Sequence, residues 1–516
     1  MINLVPRRRL QGLLCAVIAA LPCLLYWGGI SQRFGLRDDY SNLREAHEQP
    51  GWLIELCASQ GRPIYGWLLD HSYAALASID SLVWVRGAAT LVWGLIGAVL
   101  FFVLTRRLHW RTGPALAVAA MLLVLPGVQV ETHWGVCWPH ALAGLAGVLA
   151  FLCTESALQA QRRWVRWTLR GGGVLLLWAA LLTYQPNALL YVIAIAAGLA
   201  GADERPWPQR LRWAAGHVLV VTVMLVVAFA TIKALFAGHV FWQSDRVEVE
   251  LHWFDKLGWF VREPLRQALA LFVVADDAHR TEPWVNAVAA ASLAVLGLGL
   301  VMTWRRQGWR AAAGWATGLV ALAVLAFAVS LVATERWSTY RTLMALSGVV
   351  IVFLVGSVQA LAGAEPGWRR RCAGIVLLVL VGVGCVQARH NSRLYLAEAQ
   401  AGELLRVEAA ALACDPGKEE RVFLWLPEPS ESACAVSHLD EFGSLSGDCE
   451  WAAKEMFLQV MRERTLGRAD RRVRLHFSSH YLVPRAGTFD RLIDLHLPRV
   501  LNSGASRSDG LHPAHG

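Results

Sequence analysis

Apolar residues in this sequence come in blocks of roughly 20, which is the length that an α-helix needs to cross the hydrocarbon core of a bilayer. Only 17% of the 516 residues are charged, and 24 tryptophans accompany the blocks. A soluble protein of this length would carry nearer a quarter charged residues. Tryptophan and arginine at the ends of apolar blocks are typical of membrane–water interfaces. The sequence therefore predicts an all-α polytopic membrane protein.

The positions of these blocks predict about eleven transmembrane helices. We expect them at residues 10–30, 82–104, 114–127, 136–153, 171–185, 186–201, 213–236, 284–303, 311–332, 341–362 and 372–387. The first block resembles the apolar core of a signal peptide, but it is longer than usual and many blocks follow, so we expect a retained helix. The stretch 171–201 divides at Pro186, which lacks a backbone donor and disfavours helix at the residue before it.

Arginine supports this count of spans. Six short segments hold 19 arginines and four acidic residues, and with the division at Pro186 all six lie on one side of the membrane. An excess of positive charge marks the cytoplasmic side. We therefore expect a bacterial inner-membrane protein with a cytoplasmic amino terminus and with the chain from Ala388 in the periplasm. The formal charge of +9 reflects this topology and does not indicate nucleic-acid binding.

The remaining polar regions define the domain organisation. Two long outer loops, residues 31–81 (the first loop) and 237–283 (the second loop), contain amphipathic stretches that we expect to lie as helices along the membrane surface. Residues 1–387 thus form a transmembrane module. Residues 388–501 mix helical and strand-like patterns and predict a small periplasmic α/β domain. Residues 502–516 are rich in Ser, Gly and His, and we expect them to be disordered.

The ten cysteines include no CxxC pair and no Cys/His spacing of the kind that binds zinc. Cys414, Cys434 and Cys449 lie in the tail. A periplasmic location is compatible with one disulfide among these three, and its pairing stays open.

The strongest candidate for chemistry is Arg37-Asp38-Asp39-Tyr40, directly after the first predicted span. Two adjacent carboxylates at a membrane surface can activate a hydroxyl group, hold a divalent metal ion, or do both. A site of low dielectric constant would raise the pKa of one of them towards a value useful for a general base. The alternative is an acidic solvated turn or an Asp that caps the next helix.

A second element of the first loop is Gln60-Gly61-Arg62-Pro63. Gly-Arg-Pro can end one surface helix and begin another, with Pro63 in the first turn. The functional interpretation is that Arg62 orients the acidic loop or binds a phosphate.

These elements together resemble the GT-C class of membrane glycosyltransferases. Within it the sequence is most similar to the phage-type and bacterial O-antigen glucosyltransferases, in which a DD…GR(P/W) pattern occupies the first outer loop. The resemblance covers about residues 10–387. It implies that Asp38 or Asp39 is the catalytic base and that Arg62 belongs to the site. The implied reaction is inverting transfer of a sugar, glucose as the first candidate, from a polyprenyl-phosphate donor to a glycan such as lipopolysaccharide O-antigen.

Other polar residues on the predicted outer face are candidates for acceptor or sugar binding. They are Glu131 and His133 between the third and fourth spans, Tyr184 and Gln185 at the break before Pro186, and Tyr340. The alternative for Glu131 and His133 is a turn held by its own polar side chains, and the alternative for Tyr184 and Gln185 is a helical hairpin turn. Asp276-Asp277-Ala278-His279 could bind a metal or an acceptor, although a solvated charge cluster is favoured; the metal, if any, is unknown.

Two arginines lie between the ninth and tenth spans, on the side where arginine is otherwise sparse. Arg336 and Arg341 offer planar, permanently charged groups that match a phosphate, so they are candidates for binding the phosphate of a lipid donor. Extension of these side chains to lipid headgroups is the alternative. Lys233, near the outer end of the seventh span, is a weaker candidate.

Several other functions remain in competition or lack support. An O-antigen polymerase or ligase is one alternative, and a transporter or flippase for lipid-linked glycans is another. Transporters usually carry charged or broken helices near the bilayer midplane, whereas these spans are nearly free of such charge. The sequence has no GxxxxGK[ST] loop, no GxSxG motif and no HExxH motif.

Overall fold

The computed structural model describes residues 4–201, 205–275, 281–363, 367–414, 420–426, 442, 445–465, 475–480, 485 and 487–495. The helices of the amino-terminal half are α1 (Leu4–Leu25), α2 (Trp27–Ser31), α3 (Asp38–Glu48), α4 (Trp52–Ser59), α5 (Pro63–Ala74), α6 (Leu82–Phe102), α7 (Thr112–Leu123), α8 (Pro126–His133), α9 (Trp138–Gln159), α10 (Arg163–Thr183), α11 (Gln185–Ala188), α12 (Tyr191–Ala200) and α13 (Trp207–Ala237).

The carboxy-terminal half continues with α14 (Trp253–Arg262), α15 (Pro264–Leu269), α16 (Glu282–Gln307), α17 (Trp309–Ala326), α18 (Ala328–Val332), α19 (Met344–Ala362), α20 (Trp368–Asn391), α21 (Ala399–Leu412) and α22 (Glu450–Thr465). Three strands follow the same order along the chain: β1 (Glu420–Trp425), β2 (Leu475–His480) and β3 (Arg491–Asp494). They form one parallel sheet with the order β2-β1-β3.

The described part of the chain has eight helical segments that are long and apolar enough to cross a membrane. They are Ile79–Arg107, Gly135–Gln159, Arg163–Thr183, Trp207–Ala237, Glu282–Gln307, Trp309–Ala326, Met344–Ala362 and Trp368–Leu412. The pair α7 and α8, bent by 52°, would make a ninth span if it is counted as one. Arg9–Leu25 and Gln185–Ala200 are shorter apolar helices.

The predicted helical polytopic class is therefore confirmed, whereas the count of eleven spans is not. A helix lies at each predicted position, but the three at 10–30, 114–127 and 186–201 are too short or too bent to count as full crossings by length and composition. The break predicted at Pro186 is present: α10 ends at Thr183, Tyr184 is extended, and Pro186 lies in the first turn of α11.

The tail begins as an extension of the membrane bundle. The helical segment Trp368–Leu412 is 45 residues long, so the predicted domain boundary between residues 387 and 388 lies inside a continuous helix. Helices α21 and α22 and the three-stranded sheet give the described part of the tail an α/β composition. The limits of a separate domain at 388 and 501 stay predictions. Residues 502–516 lie outside the described residues.

The cysteines of the tail leave their predicted disulfide open. Cys414 and Cys449 are not bonded to each other. Cys434 lies outside the described residues.

Arg86, near the start of α6, holds the chain that leads into the first loop. It is 1% exposed, and its guanidinium group donates to the carbonyl oxygens of Gly29 (2.6 Å), Gln32 (2.8 Å) and Phe34. Its Cζ atom also lies 4.0 Å from the centroid of the Phe34 ring. A planar group with several donors can satisfy three carbonyls of an irregular segment at once. The segment before α3 is therefore fixed to the bundle.

The helix α22 of the tail packs against the first loop through ion pairs and backbone contacts. Arg44 pairs with Glu455 at 2.8 Å, and Arg33 pairs with Glu463 at 2.8 Å. Arg462 donates to the carbonyl oxygen of Leu43 at 3.0 Å. These contacts hold α22 of the tail against α3 and the segment before it.

The second loop is joined in the same way to the segment after α18. Lys256 on α14 is fully buried, and its ammonium group donates to the carbonyl oxygens of Ala333 (2.7 Å) and Glu335 (2.8 Å). The backbone N–H of Glu250 donates to Val332 at 2.8 Å. The two segments therefore form one unit at the same end of the bundle as α3.

We expect Arg86→Lys to lower the free energy of unfolding by about 1–3 kcal/mol for each buried carbonyl left without a donor. Lysine keeps the positive charge but offers a single ammonium group in place of the guanidinium fork. The measurement is denaturant or thermal unfolding of the purified protein in detergent. Arg106→Lys, at an exposed position on the same helical segment, is the matched control. Equal stability of the two variants would contradict the role given to Arg86.

Candidate active site

A cavity of about 1110 Å³ lies where both loops meet the helix bundle and α22. Its walls come from α3, α4, α5, α13, α18 and α22 and from residues near 134–140, 181–186, 246–249 and 335–342. One wall is apolar and includes Leu225, Val226 and Phe229 of α13. The other walls carry carboxylates and guanidinium groups. The cavity thus combines one apolar wall with other walls that carry charged side chains.

Asp38 lies at the first position of α3 and lines the cavity. Its carboxylate makes no hydrogen bond or ion pair with any described residue, and its side chain is partly exposed. Burial, reinforced by the neighbouring Asp39, raises the pKa of Asp38 from 3.8 to about 6, against the opposing effect of Arg341, Arg37 and Arg246. A carboxylate with this pKa and with open access to a cavity can accept a proton at neutral pH.

Asp39, the adjacent residue, is fully buried and has a different environment. Its carboxylate accepts hydrogen bonds from the Tyr73 hydroxyl (2.5 Å) and from the backbone N–H groups of Leu36 (2.9 Å), Gly135 (3.2 Å) and Val136 (3.0 Å). Burial raises the pKa of Asp39, and the hydrogen bonds from Tyr73, Leu36 and Gly135 and the charge of Arg86 oppose that effect. Asp39 therefore joins the start of α3 to α5 and to the turn before α9, and it does not line the cavity.

Two local features support this arrangement. A Cβ atom at Gly135 would lie 2.7 Å from the Tyr73 hydroxyl and 2.8 Å from Asp39 Oδ1, so the close approach of the turn requires glycine. Arg37, directly before Asp38, has φ of 36°, a conformation that is uncommon for a residue with a side chain. Such backbone conformations are found at sites where the surrounding structure holds them in place.

Four arginines line the cavity: Arg37, Arg62, Arg246 and Arg341. The Cζ atom of Arg341 lies 4.4 Å from the centroid of the Trp134 ring, which fixes its guanidinium plane over the indole. The Cζ atom of Arg62 lies 5.3 Å from the Tyr184 ring centroid, and its Nε atom is buried with no hydrogen-bond partner among the described residues. The predicted residues Asp38, Arg62, Tyr184, Gln185 and Arg341 are thus brought together in one cavity.

The Gly-Arg-Pro element forms the predicted junction between two surface helices, whereas a role of Arg62 in orienting the acidic loop or binding a phosphate stays a prediction. Helix α4 ends at Ser59, Gly61 is left-handed with φ of 80°, and α5 begins at Pro63. Gly61 and Arg62 of this turn line the cavity. The carbonyl oxygen of Gly61 accepts a hydrogen bond from Gln185 Nε2 at 2.9 Å.

Glu131 lies behind the cavity and supports its wall. It is fully buried and accepts hydrogen bonds from Asn187 Nδ2 (2.9 Å) and from the indole of Trp93 (3.1 Å). Asn187 also donates to the carbonyl oxygen of His140. The imidazole ring of His140 stacks on the Tyr184 ring, and the two ring centroids are 3.5 Å apart. This chain of contacts orients Tyr184, and Glu131 itself does not line the cavity.

The remaining predicted residues lie away from the cavity lining. His133 is buried, and its Nδ1 atom lies 2.8 Å from the carbonyl oxygen of Gln129. Tyr340 is buried, and its hydroxyl accepts a hydrogen bond from the backbone N–H of Ala275. Arg336 is exposed. Lys233 donates to Gln243 at 3.1 Å. Direct contact of these four residues with a substrate stays a prediction.

The described residues contain no group of three or more His, Cys, Asp or Glu side chains placed to hold a metal ion. The segment Asp276-Asp277-Ala278-His279 lies outside the described residues. The possibility of a divalent metal therefore stays a prediction.

Several cavity residues were not predicted from the sequence. Arg246 lies in the second loop, which holds three further arginines, so arginine content alone does not single it out. Trp451 and Glu455 reach the cavity from α22 in the tail. Nothing in the local sequence of α22 indicates this, because the contact joins parts of the chain that are far apart.

Comparison with known proteins gives few matches. No protein-family model matches the chain, and no curated protein matches it. Among solved structures, one match is the archaeal oligosaccharyltransferase AglB from Archaeoglobus fulgidus, in complex with an inhibitory peptide and a dolichol-phosphate, with a TM-score of 0.44 and 12% identity. The matched region covers 81% of this chain and 62% of the AglB chain. The Archaeoglobus fulgidus oligosaccharyltransferase in complex with zinc and sulfate has a TM-score of 0.42 at 12% identity. The matched region covers 80% of this chain and 60% of that oligosaccharyltransferase chain.

ArnT from Cupriavidus metallidurans, bound to undecaprenyl phosphate, has a TM-score of 0.44 at 10% identity, with 87% of this chain and 84% of ArnT covered. The chain spans about three fifths of the length of the oligosaccharyltransferases. These TM-scores are too low to assign a fold or an activity, so the function is argued from the residues of this chain.

We expect Asp39→Asn to lower the free energy of unfolding by about 2–4 kcal/mol, because an amide leaves some of the four buried donors without an acceptor. The measurement is thermal unfolding of the purified protein. Asp38→Asn is the matched control, since its carboxylate bonds no described residue, and we expect it to unfold close to the wild type. If the two variants are equally stable, Asp39 does not hold the site together.

Proposed function

We propose that this chain is a GT-C-class glycosyltransferase that transfers a sugar from a polyprenyl-phosphate donor to a hydroxyl group of a glycan. The observation that carries the proposal is Asp38, a carboxylate without a bonding partner among the described residues, with its pKa raised to about 6, in a cavity that also holds four arginines. A base, a set of anion-binding groups and an apolar flank are what this reaction requires.

The apolar wall supports a lipid-linked donor. Val226 and Phe229 line the cavity and are 62% and 40% exposed, counting the area that faces the cavity. Both lie on Trp207–Ala237, a segment long enough to span a membrane. In a bilayer this surface would face lipid, so a polyprenyl chain can reach the cavity sideways without entering water.

The arginines support binding of the donor phosphate. Arg341 is oriented by Trp134, and Arg62 is oriented by Tyr184. Guanidinium groups bind phosphate oxygens with two parallel hydrogen bonds, and their charge stabilises the negative charge that grows on the leaving phosphate in the transition state. Tyr184 and Gln185, which line the cavity beside Arg62, are placed for contact with the transferred sugar.

The reaction is a single displacement. Asp38 takes the proton of the acceptor hydroxyl, and the acceptor oxygen forms a bond to the anomeric carbon. The bond between that carbon and the phosphate oxygen breaks, and its electron pair leaves with polyprenyl phosphate. One displacement inverts the configuration at the anomeric carbon. The phosphate is already a good leaving group, so no general acid is needed.

The finer identity of the substrates follows from the sequence resemblance alone. We propose glucose as the first candidate for the transferred sugar and lipopolysaccharide O-antigen as the first candidate for the acceptor. The location that fits these substrates is the bacterial inner membrane, with Asp38 on the periplasmic side and the amino terminus in the cytoplasm.

We expect Asp38→Asn to lower kcat/KM by about 10²–10⁴, the usual contribution of a general base. The wild-type rate should fall tenfold per pH unit below pH about 6, because protonated Asp38 cannot accept the hydroxyl proton, and it should level off above that pH. The measurement is release of polyprenyl phosphate and formation of glycan in membranes supplied with polyprenyl-phosphate glucose.

Asp245→Asn, at an exposed carboxylate next to the cavity residue Arg246, is the matched control and should keep the wild-type rate. Full activity of Asp38→Asn, or a rate that does not change between pH 5 and pH 8, would remove Asp38 from the mechanism.

We expect Arg341→Met to reduce kcat/KM by roughly 100-fold or more, as for the loss of one group that stabilises transition-state charge. Arg336→Met is a matched control five residues earlier, because Arg336 is exposed and does not line the cavity. Both variants are assayed for donor turnover. A larger loss for Arg336→Met than for Arg341→Met would contradict the assignment of the phosphate to the cavity.

A further inference from the structure

We infer that α3 and α22 form the acceptor subsite of the cavity and that this subsite takes a sugar without negative charge. The inference rests on the proposed function, since it assigns the second substrate of the same site. Ser41, Asn42 and Glu45 follow Asp38 along α3 and line the cavity with it. Positions three, four and seven residues apart on a helix share one face, so the acceptor would lie directly beside the base.

Asn42 is the strongest sign of a ligand at this position. It is 6% exposed, and its side-chain amide has no hydrogen-bond partner among the described residues. Its amide atoms are not among the fully buried side-chain atoms of the described residues, so the amide is open to the cavity and available to a ligand. An amide offers both donors and an acceptor, which suits a sugar hydroxyl that must donate and accept. The cavity is the free volume that Asn42 faces.

Two indole rings supply the apolar contact that a sugar ring needs. Trp451 on α22 is 47% exposed, Trp52 on α4 is 37% exposed, and both line the cavity. Exposed tryptophans in a cavity present a flat, rigid face to a ligand at little cost in conformational entropy. The C–H face of a pyranose ring is flat enough to pack on such a surface.

The charge on this side of the cavity selects against anionic sugars. Glu45 and Glu455 line it, and Arg44 is paired with Glu455 (2.8 Å), Glu48 (2.8 Å) and, less closely, Glu45 (3.7 Å). Burial raises the pKa of Glu45; Arg44 lowers it, and Glu455 and Asp38 raise it further. These carboxylates already destabilise one another, so a uronate or phosphate on the acceptor would meet the same repulsion.

The positive charge of the cavity lies outside α3 and α22. Arg37 directly precedes α3, and Arg62, Arg246 and Arg341 come from the first loop, the second loop and the segment after α18. The charges of Arg341, Arg37 and Arg246 all act on Asp38, so the base at the start of α3 borders this positive region. An anionic donor head is thereby directed to the arginines and an uncharged acceptor to the face of α3 and α22, with the base next to both, as a direct displacement needs.

The test measures binding of three synthetic trisaccharides to the full-length protein in nanodiscs by saturation-transfer NMR. The trisaccharides end in glucose, glucosamine or glucuronic acid and are otherwise identical. We expect the glucose and glucosamine forms to bind and the glucuronic acid form to bind at least about tenfold more weakly, from repulsion at short range. Equal or tighter binding of the glucuronic acid form would overturn the inference.

The variants locate the site and test its charge. Trp451→Ala and Asn42→Ala should each weaken binding of the glucose form by roughly 3–10-fold, as expected for one stacking or hydrogen-bonding contact. Trp67→Ala, at an exposed tryptophan outside the cavity, is the matched control. The double variant Glu45→Gln/Glu455→Gln should bind the glucuronic acid form as well as the glucose form. Wild-type binding by Trp451→Ala and Asn42→Ala would overturn the subsite.

Trp451→Phe distinguishes loss of the sugar contact from misfolding of the variant. It keeps an aromatic face, so it should recover most of the binding that is lost in Trp451→Ala. Donor turnover of the same preparations separates the two proposals. If the wild type releases no polyprenyl phosphate but the trisaccharides bind as expected, the proposed function fails and the sugar subsite stands. If the donor is turned over but none of the α3 and α22 variants changes trisaccharide binding, the subsite fails and the proposed function stands.

Discussion

A fully buried carboxylate fixes the geometry on which the candidate active site depends. Asp39 accepts four hydrogen bonds, from the segment before α3, from α5 and from the turn before α9. A charge buried in this way is tolerated only when its hydrogen-bonding capacity is filled. Consecutive residues of a helix point about 100° apart. Once Asp39 is anchored, Asp38 is directed into the cavity, where it has no such partners.

The sequence predicted the position of the candidate site but not the different environments of its two carboxylates. The adjacency of Asp38 and Asp39 marks the place, yet the partners that separate them, Tyr73 and Gly135, are distant in sequence. Arg336 and Arg341 illustrate the same limit. Both are arginines on a face where arginine is sparse, and only packing on Trp134 distinguishes the one that faces the cavity. Residue type and local pattern carry no information on such contacts.

The helices were more predictable than the membrane crossings. A helix lies at each predicted apolar block, because burial in lipid or in the protein interior demands the same composition. They do not reveal whether a helix crosses fully, as the bend between α7 and α8 at Pro126 shows. Glu155 is a similar case. It is one of the four acidic residues in the six arginine-rich segments that the sequence places on the cytoplasmic side. In the structure it is buried near the end of α9, where it accepts a hydrogen bond from the Trp213 indole at 2.9 Å and lies 3.2 Å from His217 Nε2.

The contact between the first loop and α22 also bears on how the protein is made. Arg44 and Glu455 are 411 residues apart. During synthesis, the loop that carries Asp38 leaves the ribosome long before α22 exists. The cavity therefore lacks one wall until the tail has been made and has folded back on the loop. Under the proposed function, a nascent chain that has not yet reached α22 carries the base without its enclosing wall, so the reaction chamber is completed only after α22 has been synthesised.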